Sequence, residues 1–579
     1  MKKVLLFIVL GFVLCANAQN IVSLSDNEAS LLQPLINRYQ SDENMLNRKY
    51  VLKRSNEYFD RMGQFYRGWL LQLKNIPFAK LTQNERIDYI LLKRNIGVSA
   101  RNLSSAAEEF KSNSYLTPFA SVIIDFEKKR RVGQQQDGVK TALAFEQLKI
   151  QIEATRKAID KKELSANLMQ VKWTQQTLTQ YAEVFAEAYK FYDGYDPQFT
   201  KATKNIFPEV LSSMKSYATD LEKVSKQHVG ADDGTGIIGN PIGRTGLIDG
   251  LKDEMIAYTP EQLTAIAQRE FAWCDAEMAK ATREMGLGDN PIANGWKAAL
   301  EKVKTAYPPL GKQPELVYEL ANEAINFVEK NKLIMVPSMA KEGWRMRMLT
   351  PKEQLFAPFF LGGESVLIAY PHEDMSEEAK MMTLKGNNRH FSRAVVFHEL
   401  IPGHNLQYYM QSRYKPYRRA FSTPFWTEGW SLYWEMLLWD NNFAKTPEDK
   451  IGMLFWRMHR CARIIFSTKY HLGEWTPKQC IDFLVERVGF ERANAEAEVR
   501  RSFTGNYGPL YQIGYMLGGL QFRALHKELV QTGKMSNIAF HERILKENCM
   551  PVEMIRALLT NQPLTENFST KWKFAGEVK

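Results

Sequence analysis

Apolar residues recur at intervals of three and four over long stretches of this chain, and that spacing commits most of it to amphipathic helices. It is clearest in Asn84-Glu85-Arg86-Ile87-Asp88-Tyr89-Ile90-Leu91-Leu92 and across residues 148–184, and strand-like alternation is scarce. Residues 21–226 therefore read as a succession of long helices. A breaker-rich passage follows, with Gly230, Gly234, Gly236, Gly239, Pro241, Gly243, Gly246 and Gly250, which no long helix tolerates; it reads equally as a linker or as a substrate-facing loop. Helical spacing returns at Thr259-Pro260-Glu261-Gln262, a helix-opening cap, and again from Pro314 to Lys330. The least helical part lies between Leu333 and Asp374, where Gly362-Gly363-Glu364 and Val366-Leu367-Ile368-Ala369-Tyr370 predict turns and short strands. Helices resume at Arg389. The expected fold class is mainly α: one large helical body split by a cleft, with a small irregular or β element ahead of residue 389.

Lys2 and Lys3, the apolar run Val4 to Leu14 and the small-residue site Ala16-Asn17-Ala18 have the pattern of a signal peptide, which puts the mature start near Gln19. Leu14 stands before Cys15 where a lipoprotein needs a small residue, so the expectation is export to the periplasm or beyond without a lipid anchor. The organisation is read as a signal peptide at 1–18, an N-terminal helical region at 19–229 and a region at 230–579 that carries the chemistry, packed as one body. No later stretch holds eighteen uninterrupted apolar residues, so no membrane-spanning helix is expected. The formal charge of +11 drops by the two lysines to +9, a mild excess for 579 residues. With no recognition motif beside it, that excess does not point to nucleic acid. Cys274, Cys461, Cys480 and Cys549 remain after cleavage; none lies in a CxxC or Cys-His pattern, and three pairings are open to them. Oligomeric state is not legible.

The chemistry is concentrated in Val395-Val396-Phe397-His398-Glu399-Leu400-Ile401-Pro402-Gly403-His404. Two histidines offer imidazoles to a metal, and Glu399 beside the first offers a base for an activated water. The histidines are six residues apart rather than four, which on a regular helix leaves them about 120° out of phase. Pro402 cannot donate to the carbonyl of His398 and must break the helix there, and Gly403 adds backbone freedom. An irregular turn would then aim both rings at one ion. A third ligand is available in Phe425-Trp426-Thr427-Glu428-Gly429-Trp430-Ser431-Leu432-Tyr433-Trp434-Glu435, where Glu428 lies 24 residues beyond His404 among tryptophans that imply burial. A buried carboxylate needs a partner. Glu435, seven residues on and on the same helical face, is placed to orient a ligating histidine.

These two strings resemble the HExxPGH and EGWxxYxE motifs of the bacterial family known as domain of unknown function 885. Arg463-Ile464-Ile465 with His471, and Tyr511-Gln512-Ile513-Gly514, resemble further segments of it, over about residues 240–523. The resemblance implies a zincin-like helical fold and zinc-peptidase character similar to that of helical gluzincin carboxypeptidases. Two positions depart from the family pattern. Asn405 stands where members often carry a second histidine, and Ser467 stands where an acidic residue would pair with His471.

The expected function is hydrolysis of short peptides outside the cytoplasm, carboxypeptidase-like or dipeptidase-like, with one Zn2+ per chain held by His398, His404 and Glu428. Glu399 would take a proton from water and pass it to the leaving amine. Tyr511 and Tyr515, four apart on one helical face, and His471 are the candidate donors to the oxyanion. Arg463 is the candidate grip on a substrate carboxylate, with a structural ion pair as the equal alternative. His228, His459, His526 and His541 read as surface or core residues, and His372 as a residue that could line the cleft. Two other functions fit the same residues: a helical protein that binds peptides or other nutrients without turnover, and a metal-dependent amidase acting on cell-wall peptides.

Overall fold

The computed structural model describes residues 30–225, 232–287, 295–354, 357, 359–505 and 507–578. The signal segment and His228 lie outside the described residues. The chain begins with α1 Gln33–Lys49, α2 Asn56–Lys74 and α3 Gln83–Asn113, followed by α4 Ala120–Arg131, α5 Gly138–Asp160, α6 Leu168–Lys190, α7 Pro197–Thr203 and α8 Ile206–Ser225. Next come α9 Gly243–Asp253, α10 Pro260–Glu284, α11 Trp296–Lys304, α12 Gln313–Lys330, α13 Ser338–Gly343, β1 Arg345–Met348, α14 Pro351–Gln354, β2 Ser365–Ile368 and α15 Glu377–Gly386. The last part holds α16 Arg389–Glu399, α17 His404–Gln411, α18 Pro424–Asp440, α19 Pro447–His471, α20 Pro477–Phe483, α21 Arg492–Thr504, α22 Tyr511–His526, α23 Asn537–Lys546 and α24 Val552–Leu559. The fold is mainly α. β1 and β2 pair in parallel with Arg345 opposite Ser365, and Leu361 adds one antiparallel bridge to Leu367. This is the small β element expected ahead of α16.

Local sequence sets many of the boundaries. Thr259 and Gln262 close a reciprocal capping box at the start of α10, and Thr82 with Glu85 does the same for α3. The apolar faces assemble into two main cores. α1 to α3 pack into the large core with the helices after residue 236, whereas the residues of α4 to α8 form a second core around Phe126, Phe145, Phe185 and Tyr217. Along the chain the cores thus part between α3 and α4 and again at the breaker-rich passage, where the second core ends at Val224 and the large core resumes at Ile237.

α3 is also tied to the C-terminal region by buried charge. The Arg418 guanidinium donates to Asp88 at 2.8 Å and pairs with Glu547, and the Tyr417 hydroxyl donates to Asp88 at 2.9 Å. The described part of the glycine-rich passage is docked against the C-terminal helices: Arg500 donates to the Thr235 carbonyl at 3.0 Å, and a Cβ on Gly239 would collide with the Phe503 carbonyl. All four described cysteines are buried and free. Among the described residues no helix is long and apolar enough to cross a membrane.

Candidate metal centre

α16 stops at Glu399 and α17 starts at His404, so the two histidines stand on different helices. The turn between them is sharp, with Leu400 at φ −108°, ψ −108° and Gly403 at φ −79°, ψ −131°, and the Ile401–Pro402 peptide is cis. A Cβ on Gly403 would run into the His398 carbonyl, so glycine is required there by close approach. α18 covers the backbone groups that the break exposes. The Ser431 hydroxyl donates to the His398 carbonyl at 3.0 Å, the group Pro402 cannot serve, and the Trp430 indole donates to the Pro402 carbonyl at 2.9 Å.

The result is convergence. The two imidazole rings lie 4.9 Å apart, and the Glu428 carboxylate comes within 3.2 Å of His404 Nε2 and 3.7 Å of His398 Nε2. One ligand atom from each of the three residues lies within 4.8 Å of the others. Ligand atoms about 2.0–2.1 Å from a tetrahedral zinc stand about 3.3 Å from one another, so the donor set fits that ion in spacing and in kind. The ring orientations fit as well. His398 Nδ1 donates to Glu435 at 2.6 Å and His404 Nδ1 to Gln407 at 3.0 Å, which turns both Nε2 atoms toward Glu428. Burial opposes charge on the two rings, but Glu428 outweighs it and raises both, His404 to about 9, so a metal there would bind in place of the Nε2 protons. Burial works against charge on Glu428, but His404 and His398 outweigh it and hold the carboxyl well below the usual range. Burial pushes the Glu399 carboxyl up, with His398 and His404 opposing the shift.

Glu399, His404 and Glu428 face a cavity of 470 Å3 that Tyr511 and Tyr515 also line. The Tyr511 hydroxyl donates to Glu428, and the Tyr515 ring stacks on His398 with centroids 6.2 Å apart. Gly362 brings the bridge segment before β2 against Glu399, so closely that a Cβ would strike the carboxylate.

The sequence matches, over residues 46–559, the family described as a bacterial protein of unknown function, DUF885. The chain belongs to this family. The DUF885 match reaches well beyond the stretch 240–523 on which the sequence motifs rest, and takes in α2 to α8. Two solved structures share the fold. One, from Shewanella oneidensis, is described as a candidate lipoprotein of unknown function and is 20% identical, with a TM-score of 0.67 over 92% of this chain and 100% of its own. The other, a candidate lipoprotein from Colwellia psychrerythraea, is 16% identical, with a TM-score of 0.57 over 92% of this chain and 99% of its own. No curated protein matches the chain.

Other residues singled out in this DUF885 chain fall outside the cavity. Arg463 is buried, donates to Glu498 at 2.6 Å and lies behind the Tyr515 ring; it forms the structural ion pair and does not reach the cavity. His471, at the end of α19, packs against Tyr470 and Phe503, and its Nδ1 and the Ser467 hydroxyl are buried without hydrogen-bond partners. With serine at position 467, Nδ1 of this imidazole has no acid to donate to. His372 is half exposed beside Asp374 and does not line the cavity. His459 and His541 are core residues; His541 donates from Nδ1 to the Leu333 carbonyl and accepts from Tyr433 at 2.8 Å. The cavity adds residues not read from the sequence, among them Tyr408, Arg501 and Tyr507. Tyr408 had a signal, since it follows His404 by four residues and so shares its helical face.

Proposed function

We propose that the chain is an exported zinc-dependent peptidase that hydrolyses peptides outside the cytoplasm. The observation that carries this reading is the buried meeting of two imidazole Nε2 atoms with the Glu428 carboxylate, beside Glu399 on the wall of a cavity. His398, His404 and Glu428 would hold the ion, with Glu435 and Gln407 fixing the two rings. A zinc ion held there supplies Lewis-acid activation of water and of the scissile carbonyl. Glu399 receives the proton that the attacking water loses. The water oxygen joins the acyl carbon, the C–N bond breaks, and the same carboxyl delivers the proton to the leaving amine. Tyr515, which lines the same cavity, is the hydroxyl donor for the developing oxyanion, while the Tyr511 hydroxyl is engaged with Glu428. Export is supported by the signal-like first eighteen residues and by the lipoprotein descriptions of the two structural neighbours.

The test is Glu399→Gln. Zinc content should stay unchanged while cleavage of a mixed peptide library, read by mass spectrometry, drops by at least about 100-fold. A Glu399→Gln protein that keeps full turnover removes the base from the mechanism.

A further inference from the structure

Arg501 is the one arginine or lysine among the described residues lining the 470 Å3 cavity. It belongs to a charged cluster built from α19 and α21. The Glu498 carboxylate lies 2.9 Å from Arg501 Nε and 2.6 Å from Arg463 Nε, and the three side chains are only 4%, 16% and 3% exposed in the order named. His459 approaches the same carboxylate at 3.3 Å, but burial and Arg463 push its pKa down to about 3, so it is neutral. Two guanidiniums therefore share one carboxylate. Arg460, on the same face of α19, has its own partner in Glu435 at 3.4 Å and does not alter the balance.

The cluster thus holds one positive charge in excess, largely withdrawn from water. Such a charge is costly without a counter-ion, and an anion in the cavity supplies one. Arg463 lies behind the Tyr515 ring, 4.3 Å from its centroid, whereas Arg501 stands on the wall. A divalent ion held by His398, His404 and Glu428 would offset the charges of Glu428 and Glu399, which leaves Arg501 as the uncompensated cation on the cavity wall. A planar guanidinium matches a carboxylate in two parallel hydrogen bonds.

We infer that Arg501 is the carboxylate-binding residue of this cavity, and that its substrates are peptides with a free C-terminal carboxylate, cleaved from that end. The substrate class rests on the peptidase reading above; the carboxylate site stands on the charge cluster alone. The rest of a peptide has a way out, because a second cavity of 580 Å3 shares Tyr408 and Ser422 with the first.

The test uses one set of N-acetylated pentapeptides prepared as C-terminal acids and again as C-terminal amides, given to the zinc-loaded protein. The acids should be cleaved with a kcat/KM about 100-fold above that of the amides, and Arg501→Gln should remove most of that ratio. Equal cleavage of both sets by the unaltered protein overturns the inference and leaves the peptidase reading standing. Calorimetric titration with N-acetylphenylalanine and with its amide reads the same site without turnover. Tighter binding of the acid, lost in Arg501→Gln, keeps the carboxylate site even when neither set is cleaved, and in that case the peptidase reading falls. Equal affinity for acid and amide, or a difference that Arg501→Gln leaves intact, overturns the site.

Discussion

His398 offers Nε2 to a metal only while its Nδ1 carries the proton, and Glu435, 2.6 Å away, keeps it there. Glu435→Gln should therefore weaken zinc binding about 10–100-fold in competition with a chelator, without unfolding the protein. An unchanged zinc affinity would show that the ring needs no such partner. At this scale much of the centre was legible. His398, Glu399, His404, Glu428 and Glu435 follow from residue type and spacing, because a base beside a ligand and a carboxylate one helical repeat away leave a trace in the sequence. Arg501 leaves none. It adjoins Arg500, and only the phase of α21 sends one guanidinium to the Thr235 carbonyl and the other to the cavity wall. Arg463 stood out in the family motif, but it serves the wall from behind.

α18 and α22 meet through glycine. A Cβ on Gly518 would strike the Phe425 carbonyl and Gly429, and one on Gly514 would press on Pro424 at 3.0 Å. This close crossing brings Tyr511 of α22 to Glu428 of α18, so the backbone contact sets the distance between a ligand and the hydroxyls over it. Gly518→Ala should lower stability by about 1–3 kcal/mol in urea unfolding, with loss of turnover beyond what stability explains. Full stability and activity in that variant would mean that the helices adjust freely. The crossing was not legible, since glycine in a helix signals a close approach without naming its partner. The break at Pro402 was legible in kind: the ring had to end α16. That Ser431 and Trp430 would take up the released carbonyls depended on which face of α18 arrives there.

The molecule as a whole is mainly helical, as the spacing of apolar residues dictates, but periodicity shows which face of a helix is buried and not what it is buried against. α1 to α3 thus join the large core while α4 to α8 build their own. Buried histidines give the molecule a pH dependence. Burial lowers the pKa of His471 to about 4, and burial lowers His541 to about 3, as do burial and Arg463 for His459. In the unfolded chain all three titrate near 6.5, so between that value and about 4 the unfolded state binds the extra protons. The contribution of these three is full above about pH 6.5 and declines as pH falls, by up to about 1.4 kcal/mol per pH unit for each. Urea unfolding at pH 7.5 and 5.0 should show this decline, with a shallower one in His471→Phe; stability that does not change between the two would contradict it. The most direct test of the central claim is the zinc content of the purified protein by elemental mass analysis, beside His398→Ala and Glu428→Ala. About one zinc per chain is expected in the unaltered protein, and its loss in both variants. No zinc after incubation with the ion, or full retention in both variants, would contradict it.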